Sequence, residues 1–192
     1  MQRFTKAVGL PTNLARWRAT VDAMLIGVDC KGPIYLMVDQ AIVPAGATHR
    51  RGGLHVDGRW CDATGLHRHS MDDDPPVPEG IVLASSHLGC RAFTGQYNTP
   101  PKVDGDCSHI STSALDVVDL EPGYAWAGDS LRMLHESIPC PSSASRTVVR
   151  LNVTGWGLED LNRSFASRRS DRRSITWPVG RCPGQVLRQP KE

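Results

Sequence analysis

Two residues of the segment 50–58, His55 and Asp57, have the types and the spacing of metal ligands. Residues two apart on a β-strand project from the same face, so this imidazole and this carboxylate can bind one ion together. The paired glycines before them give the backbone room to bend, and Gly58 ends the strand. A His-x-Asp pair also arises by chance, as a surface turn pair, so its context decides its meaning.

His135 is the best candidate for a third ligand. Leu131 and Met133 precede it at alternate positions, which predicts a strand over 131–135 that points His135 into a barrel. Two His and one carboxylate on one face of a metal, with the other positions open, form the ligand set of non-haem Fe(II) oxygenases. The alternative for His135 is a core histidine hydrogen-bonded to a backbone carbonyl.

The elements that must position these residues are mostly short strands. Apolar and β-branched runs bounded by Gly and Pro predict strands over 33–43, 81–86, 91–97, 124–127 and 146–153. The segment 111–120 fits a helix as well as a strand, and 64–78 is a long polar loop. An apolar stripe over 13–25 is typical of a helix packed outside a sheet. The pattern predicts a mainly β barrel or jelly roll with flanking helices.

At 192 residues the chain suits a single domain, 1–192. We expect a helical N-terminal support over 1–30, a β core over 34–153, and a helix with an Arg- and Pro-rich tail over 154–192.

Composition excludes few functions. A net charge of +2 does not indicate a nucleic-acid binder, although it leaves one possible. There is no apolar run of secretory or membrane-spanning length. The six cysteines include no Cys-x-x-Cys pair, so free thiols in a reducing cytoplasm are expected, with no membrane partner.

The order His55-x-Asp57, then His135, then an arginine on the following strand resembles the Fe(II)/2-oxoglutarate-dependent oxygenase superfamily. The run from His135 through Pro139 to Arg146 looks like that of the prolyl-hydroxylase-like members. No subfamily can be assigned from these residues.

The resemblance covers residues 34–153 and implies a fold, a ligand set and a reaction. The fold is a double-stranded β-helix, the jelly roll shared with cupins. The ligands His55, Asp57 and His135 hold Fe(II), which leaves positions for 2-oxoglutarate and O2. The implied reaction is hydroxylation of a substrate with decarboxylation of 2-oxoglutarate to succinate.

In that family a basic residue shortly after the distal His binds the far carboxylate of 2-oxoglutarate. Arg146 and Arg150 follow His135 by eleven and fifteen positions. Arg146 is the first choice, and Arg150 is either an acidic-substrate contact or the anchor itself. The opposite face of this strand is apolar and resembles a core, so an inward arginine requires a strand buried on both faces.

Arg91, Tyr97 and His67 are candidate substrate contacts, the first two by analogy with the family and the third from its place in the polar loop. The substrate is a small molecule, a protein side chain or a nucleic-acid base. Two rival functions stay open: a cupin-like metalloprotein that does not use 2-oxoglutarate, and a non-catalytic β-barrel binding module.

Overall fold

The computed structural model describes residues 1–58, 79–156 and 176–178. This part of the chain is mainly β, with few helical residues. Its strands are β1 Gln2–Phe4, β2 Ile34–Val43, β3 Glu79–Ser85, β4 Cys90–Thr94, β5 Asp116–Asp119, β6 Tyr124–Asp129, β7 His135–Ser137, β8 Ala144–Thr154 and β9 Thr176–Pro178. A 3-10 turn over Thr12–Trp17 leads into one α-helix, α1 Arg18–Met24.

The strands form two antiparallel sheets. The larger sheet has the order β1-β2-β8-β3-β6-β9, and the smaller one has the order β5-β4-β7. The His55 segment lies against the free edge of β7, where the backbone N–H of His55 donates to the carbonyl of His135 at 2.9 Å and the N–H of His135 donates to the carbonyl of His55 at 3.0 Å. Two of the predicted metal ligands are therefore backbone neighbours.

The main core lies outside the larger sheet. Trp17, Val21 and Met24 pack with apolar residues of the sheet, among them Leu36 and Leu151. The predicted helix over 13–25 is confirmed, and so is its packing on a sheet.

Strand β8 is buried on both faces, which explains the ambiguous pattern of its sequence. Val149 and Leu151 belong to the outer core. On the other face, Arg146 is fully buried and Arg150 is 6% exposed. The apolar face is thus a core, as its composition indicates, but the arginines do not point into solvent.

Two local predictions are wrong. The strand predicted over 131–135 begins only at His135, because Asp129 organises a turn before it: the N–H of Leu131 donates to the Asp129 carboxylate at 2.8 Å, and the N–H of Met133 donates to the Asp129 carbonyl at 2.8 Å. The strand predicted over 124–127 is two residues longer, because residues 128–129 also belong to β6.

Some predictions fall partly or wholly outside the described residues. The loop over 64–78, with His67, lies wholly outside them. So do the helix and tail expected over 154–192, apart from residues 154–156 and strand β9, which pairs with β6. In the segment 111–120 the structure has the strand β5. No helix of the described residues is long and apolar enough to cross a membrane.

Candidate metal centre

The two imidazoles are held in the same way. Nδ1 of His55 lies 2.7 Å from the carbonyl oxygen of Gly53, and Nδ1 of His135 lies 2.9 Å from that of Met133. Because a carbonyl only accepts, both Nδ1 atoms carry the proton. Nε2 of each ring is therefore the nitrogen that can bind a metal, and protein scaffolds commonly orient metal-binding histidines in this way.

Gly53 is needed for this arrangement. Its φ of +81° lies in the left-handed region that favours glycine, and an added Cβ would meet nothing within 4 Å. The conformation turns the Gly53 carbonyl back toward the His55 ring. The segment that carries His55 pairs through isolated bridges, not as one of the named strands, and it depends on Gly53.

Asp57 completes the cluster. Its Oδ2 lies 3.3 Å from Nε2 of His135, and its Oδ1 accepts a hydrogen bond of 2.8 Å from Nη1 of Arg150. The side chains of Asp57 and His135 are 15% and 14% exposed. The two histidine rings are 4.4 Å apart, centroid to centroid.

One ligand atom from each of His55, Asp57 and His135 lies within 4.8 Å of the others. Small side-chain rotations bring such atoms to the distances at which one divalent ion binds imidazole nitrogen and carboxylate oxygen. A group of three His, Cys, Asp or Glu residues with this geometry is found nowhere else in the described part of the chain. The structure thus brings together the three residues that the sequence predicted as ligands.

The electrostatics of the cluster suit a cation. Burial raises the pKa of Asp57, but the neighbouring His135 and Arg150 lower it more, so this carboxyl is ionised at neutral pH. Burial lowers the pKa of His135, and Asp57 raises it above its ordinary value. Burial and the charge of His135 lower the pKa of His55 to about 4. His55 is therefore neutral, which is the form in which an imidazole binds a metal ion.

A cavity of about 220 Å³ lies between the two sheets at this cluster. Apolar side chains of the larger sheet form much of its wall. Arg50, Arg51 and Arg150 add positive charge to the lining, and Arg50 is paired with Asp39 at 2.6 Å. The space favours a small, anionic molecule beside the three ligands.

Arg146 adjoins this cavity through Cys90, which is part of the wall. Nε of Arg146 donates to the carbonyl of His87 at 3.1 Å, and Nη2 donates to Sγ of Cys90 at 3.3 Å. Nη1 is buried and has no hydrogen-bond partner among the described residues. A buried donor of this kind is costly unless something accepts from it, so it marks a place for an acceptor.

Gly89 makes room for this guanidinium. An added Cβ would lie 2.8 Å from Cζ of Arg146 and 2.9 Å from its Nε. The position therefore admits only a hydrogen if Arg146 is to stay where it is.

The other predicted contacts are not brought to the centre. Arg91 pairs with Asp119 at 3.1 Å, and it does not line the cavity. Tyr97 donates to the carbonyl of Arg132 at 2.7 Å, and burial raises its pKa to about 12. His67 lies outside the described residues.

Sequence reasoning missed three features of the site: the carbonyls that orient the histidines, the Arg150–Asp57 pair and the cradle at Gly89. The carbonyl contacts have a weak signal, since both run from a histidine to the residue two positions earlier. The Arg150–Asp57 pair has none, because it joins residues 93 positions apart.

The four cysteines in the described region, Cys30, Cys90, Cys107 and Cys140, are free thiols and all are buried. The arrangement agrees with the expectation of free thiols and leaves the cellular compartment a prediction. Comparison of the chain with protein-family models, with curated proteins and with solved structures gives no match. The relation to the oxygenase superfamily therefore depends on the residues and geometry described above.

Proposed function

We propose that this protein is an Fe(II)- and 2-oxoglutarate-dependent dioxygenase that hydroxylates a substrate while 2-oxoglutarate is decarboxylated to succinate. The observation that carries the proposal is the convergence of His55, Asp57 and His135 beside a cavity, with Nδ1 of both histidines held by carbonyls so that Nε2 is the metal-binding atom. Two His and one carboxylate with open positions are the donor set of non-haem Fe(II) oxygenases.

The chain's own residues have three tasks in this proposal. His55, Asp57 and His135 would hold Fe(II), and their hydrogen bonds to carbonyls and to Arg150 keep them in place before the ion arrives. The bound metal would supply the activation of O2 against the ketoacid. The apolar walls of the cavity limit the entry of water.

Arg146 is the residue best suited to the far carboxylate of 2-oxoglutarate. Its Nη1 is a buried donor without an acceptor among the described residues, and its other nitrogens are fixed by His87 and Cys90. A charged donor held rigidly in a buried place binds a carboxylate more strongly than a mobile surface cation does. Arg150 is engaged with the metal-binding carboxylate instead.

The strand order also supports the proposal. Eight segments in chain order are β2, the His55 segment and β3 to β8. The first pairs with the eighth, the second with the seventh, the third with the sixth and the fourth with the fifth. Such nested pairing, divided between two sheets, is the order expected of a double-stranded β-helix, in which one long hairpin is rolled up.

The test is an anaerobic titration of the protein with Fe(II) and 2-oxoglutarate, followed by the weak visible charge-transfer band of the chelate. The wild-type protein is expected to develop the band and, in air, to release succinate. His135→Ala is expected to lose both. His109→Ala is the control, because His109 is exposed and bonds only the carbonyl of Pro100 among the described residues.

The rival functions give different results. Fe(II) binding without the band or succinate favours the cupin-like metalloprotein. Failure of both Fe(II) and 2-oxoglutarate to raise the melting temperature contradicts the proposal, since ligands that bind only the folded state stabilise it by RT ln(1 + [L]/Kd).

A further inference from the structure

We infer that Arg150 is a positioning residue that holds Asp57 so that this carboxylate binds the metal through Oδ2 alone. The inference rests on the proposed metal site and adds to it a role for a residue outside the three ligands. It also assigns different tasks to the two inward arginines of β8.

The two oxygens of Asp57 have different surroundings. Oδ1 accepts a hydrogen bond of 2.8 Å from Nη1 of Arg150, whereas Oδ2 lies 3.3 Å from Nε2 of His135. Oδ2 is therefore the carboxylate oxygen that lies beside the nitrogen that would bind the metal. Oδ1 points away from that place and toward the larger sheet, which carries Arg150.

Arg150 is itself well fixed. Its side chain is 7% exposed, and its backbone lies on a central strand opposite Met37 on β2 and Leu83 on β3. A guanidinium in such a place has few other conformations, and a charge-assisted hydrogen bond to a buried carboxylate is among the stronger ones in proteins. Asp57 follows the His55 segment and precedes residues outside the described range. Its contact with Arg150 orients its carboxylate.

Two effects of Arg150 on a bound cation oppose each other. Its charge repels the ion and weakens binding. Its hydrogen bond keeps Asp57 correctly turned, and loss of a partner of this kind usually costs 10- to 100-fold in metal affinity. We expect the loss of orientation in an Arg150 variant to weaken metal binding more than the loss of repulsion strengthens it, because the negative carboxylate lies between the guanidinium and the ion.

The test uses Zn(II) alone, bound to the full chain and measured by calorimetry. Arg150→Met is expected to weaken Zn(II) binding about 10- to 100-fold. Arg150→Lys keeps the charge and a donor, and it is expected to recover part of the affinity and to fold if the methionine variant does not. Arg3→Met removes an exposed guanidinium on the edge strand β1, away from the cavity, and is expected to leave the affinity for Zn(II) alone unchanged.

Infrared difference spectra upon Zn(II) addition, in protein with 13C-labelled aspartate, give a readout that a purely structural role would not change. The separation between the two carboxylate stretches is larger for binding through one oxygen than through two. We expect the one-oxygen separation in the wild type and a smaller one in Arg150→Met, with Asp57→Asn assigning the band.

The outcomes separate this inference from the proposed function. If the wild type binds Zn(II), and Arg150→Met binds it equally well or better with an unchanged infrared spectrum, the positioning role is refuted and the metal site stands. If the wild type binds no Zn(II), the metal site fails and the role of Arg150 fails with it.

Discussion

Gly89→Ala is a small change that moves Arg146 without removing it. The new Cβ would lie 2.8 Å from Cζ, whereas ordinary contacts begin at 3.4 Å, so the guanidinium must retreat by about 0.6 Å. The hydrogen bonds of Arg146 to His87 and Cys90, now 3.1 and 3.3 Å, lengthen or break. If the displaced guanidinium thereby loses one hydrogen bond to 2-oxoglutarate, the cost is about 1.5–3 kcal/mol, or roughly 10- to 100-fold in the Kd of the ketoacid.

The assay is calorimetric titration of 2-oxoglutarate into anaerobic, Fe(II)-loaded protein. Gly89→Ala is expected to weaken ketoacid binding and to leave Fe(II) binding unchanged, because Arg146 is not a metal ligand. The fold should tolerate it, since the clash is with the far end of a side chain. Gly52→Ala is the matched control: its Cβ meets nothing within 4 Å. Equal 2-oxoglutarate affinity in both variants, at unchanged melting temperature, would refute Arg146 as the anchor.

Two further predictions concern the orientation of His55 and the pH dependence of stability. Gly53→Ala places a side chain at φ +81°, with a strain of about 1–2 kcal/mol, and turns away the carbonyl that orients His55. Zn(II) affinity is therefore expected to fall about tenfold. Gly46→Ala, at φ +78°, carries the same strain away from the site and should not change the Zn(II) affinity. Burial and the charge of Asp106 raise the pKa of Cys107 from 9.0 to about 11. The protonated thiol therefore stabilises the fold fully below pH 9, and this contribution, at most about 3 kcal/mol, is lost as the pH rises toward 11. Denaturant unfolding should show the stability difference between the wild type and Cys107→Ala shrink over that interval, and a constant difference would contradict the assigned pKa.

Local patterns in the sequence predicted most of the elements that carry the site. The long strands β2 and β8 and the helical segment that ends in α1 have strong periodic signals, because each buries an apolar face against the same core. The His-x-Asp spacing predicted two ligands, and the structure brings His135 to them. The bounds of short strands were predicted less accurately, because β7 has only three residues and its start is set by a turn at Asp129.

The roles of the two arginines on β8 could not be read from alternation. Alternation distinguishes a buried face from a solvated one, and this strand has two buried faces. Which arginine reaches which partner depends on the register of β8 against its neighbours: Arg150 lies opposite Leu83 in the middle of β3, whereas Arg146 lies beyond the paired part of that strand. Sequence spacing from His135 therefore left both arginines as candidates.

The same register explains why one strand can supply both a metal-positioning group and an anion anchor. Arg146 and Arg150 share a face but are four residues apart, which separates their backbones by about 13 Å along the strand. Arg150 therefore meets the Asp57 carboxylate, while Arg146, which does not itself line the cavity, reaches His87 and the wall residue Cys90. In the proposed function a dianionic ketoacid would meet the metal near Asp57 and the guanidinium of Arg146 beside Cys90. Exchange of the two roles would require β8 to slide by four residues, and its pairing with β2 over ten positions opposes any such shift.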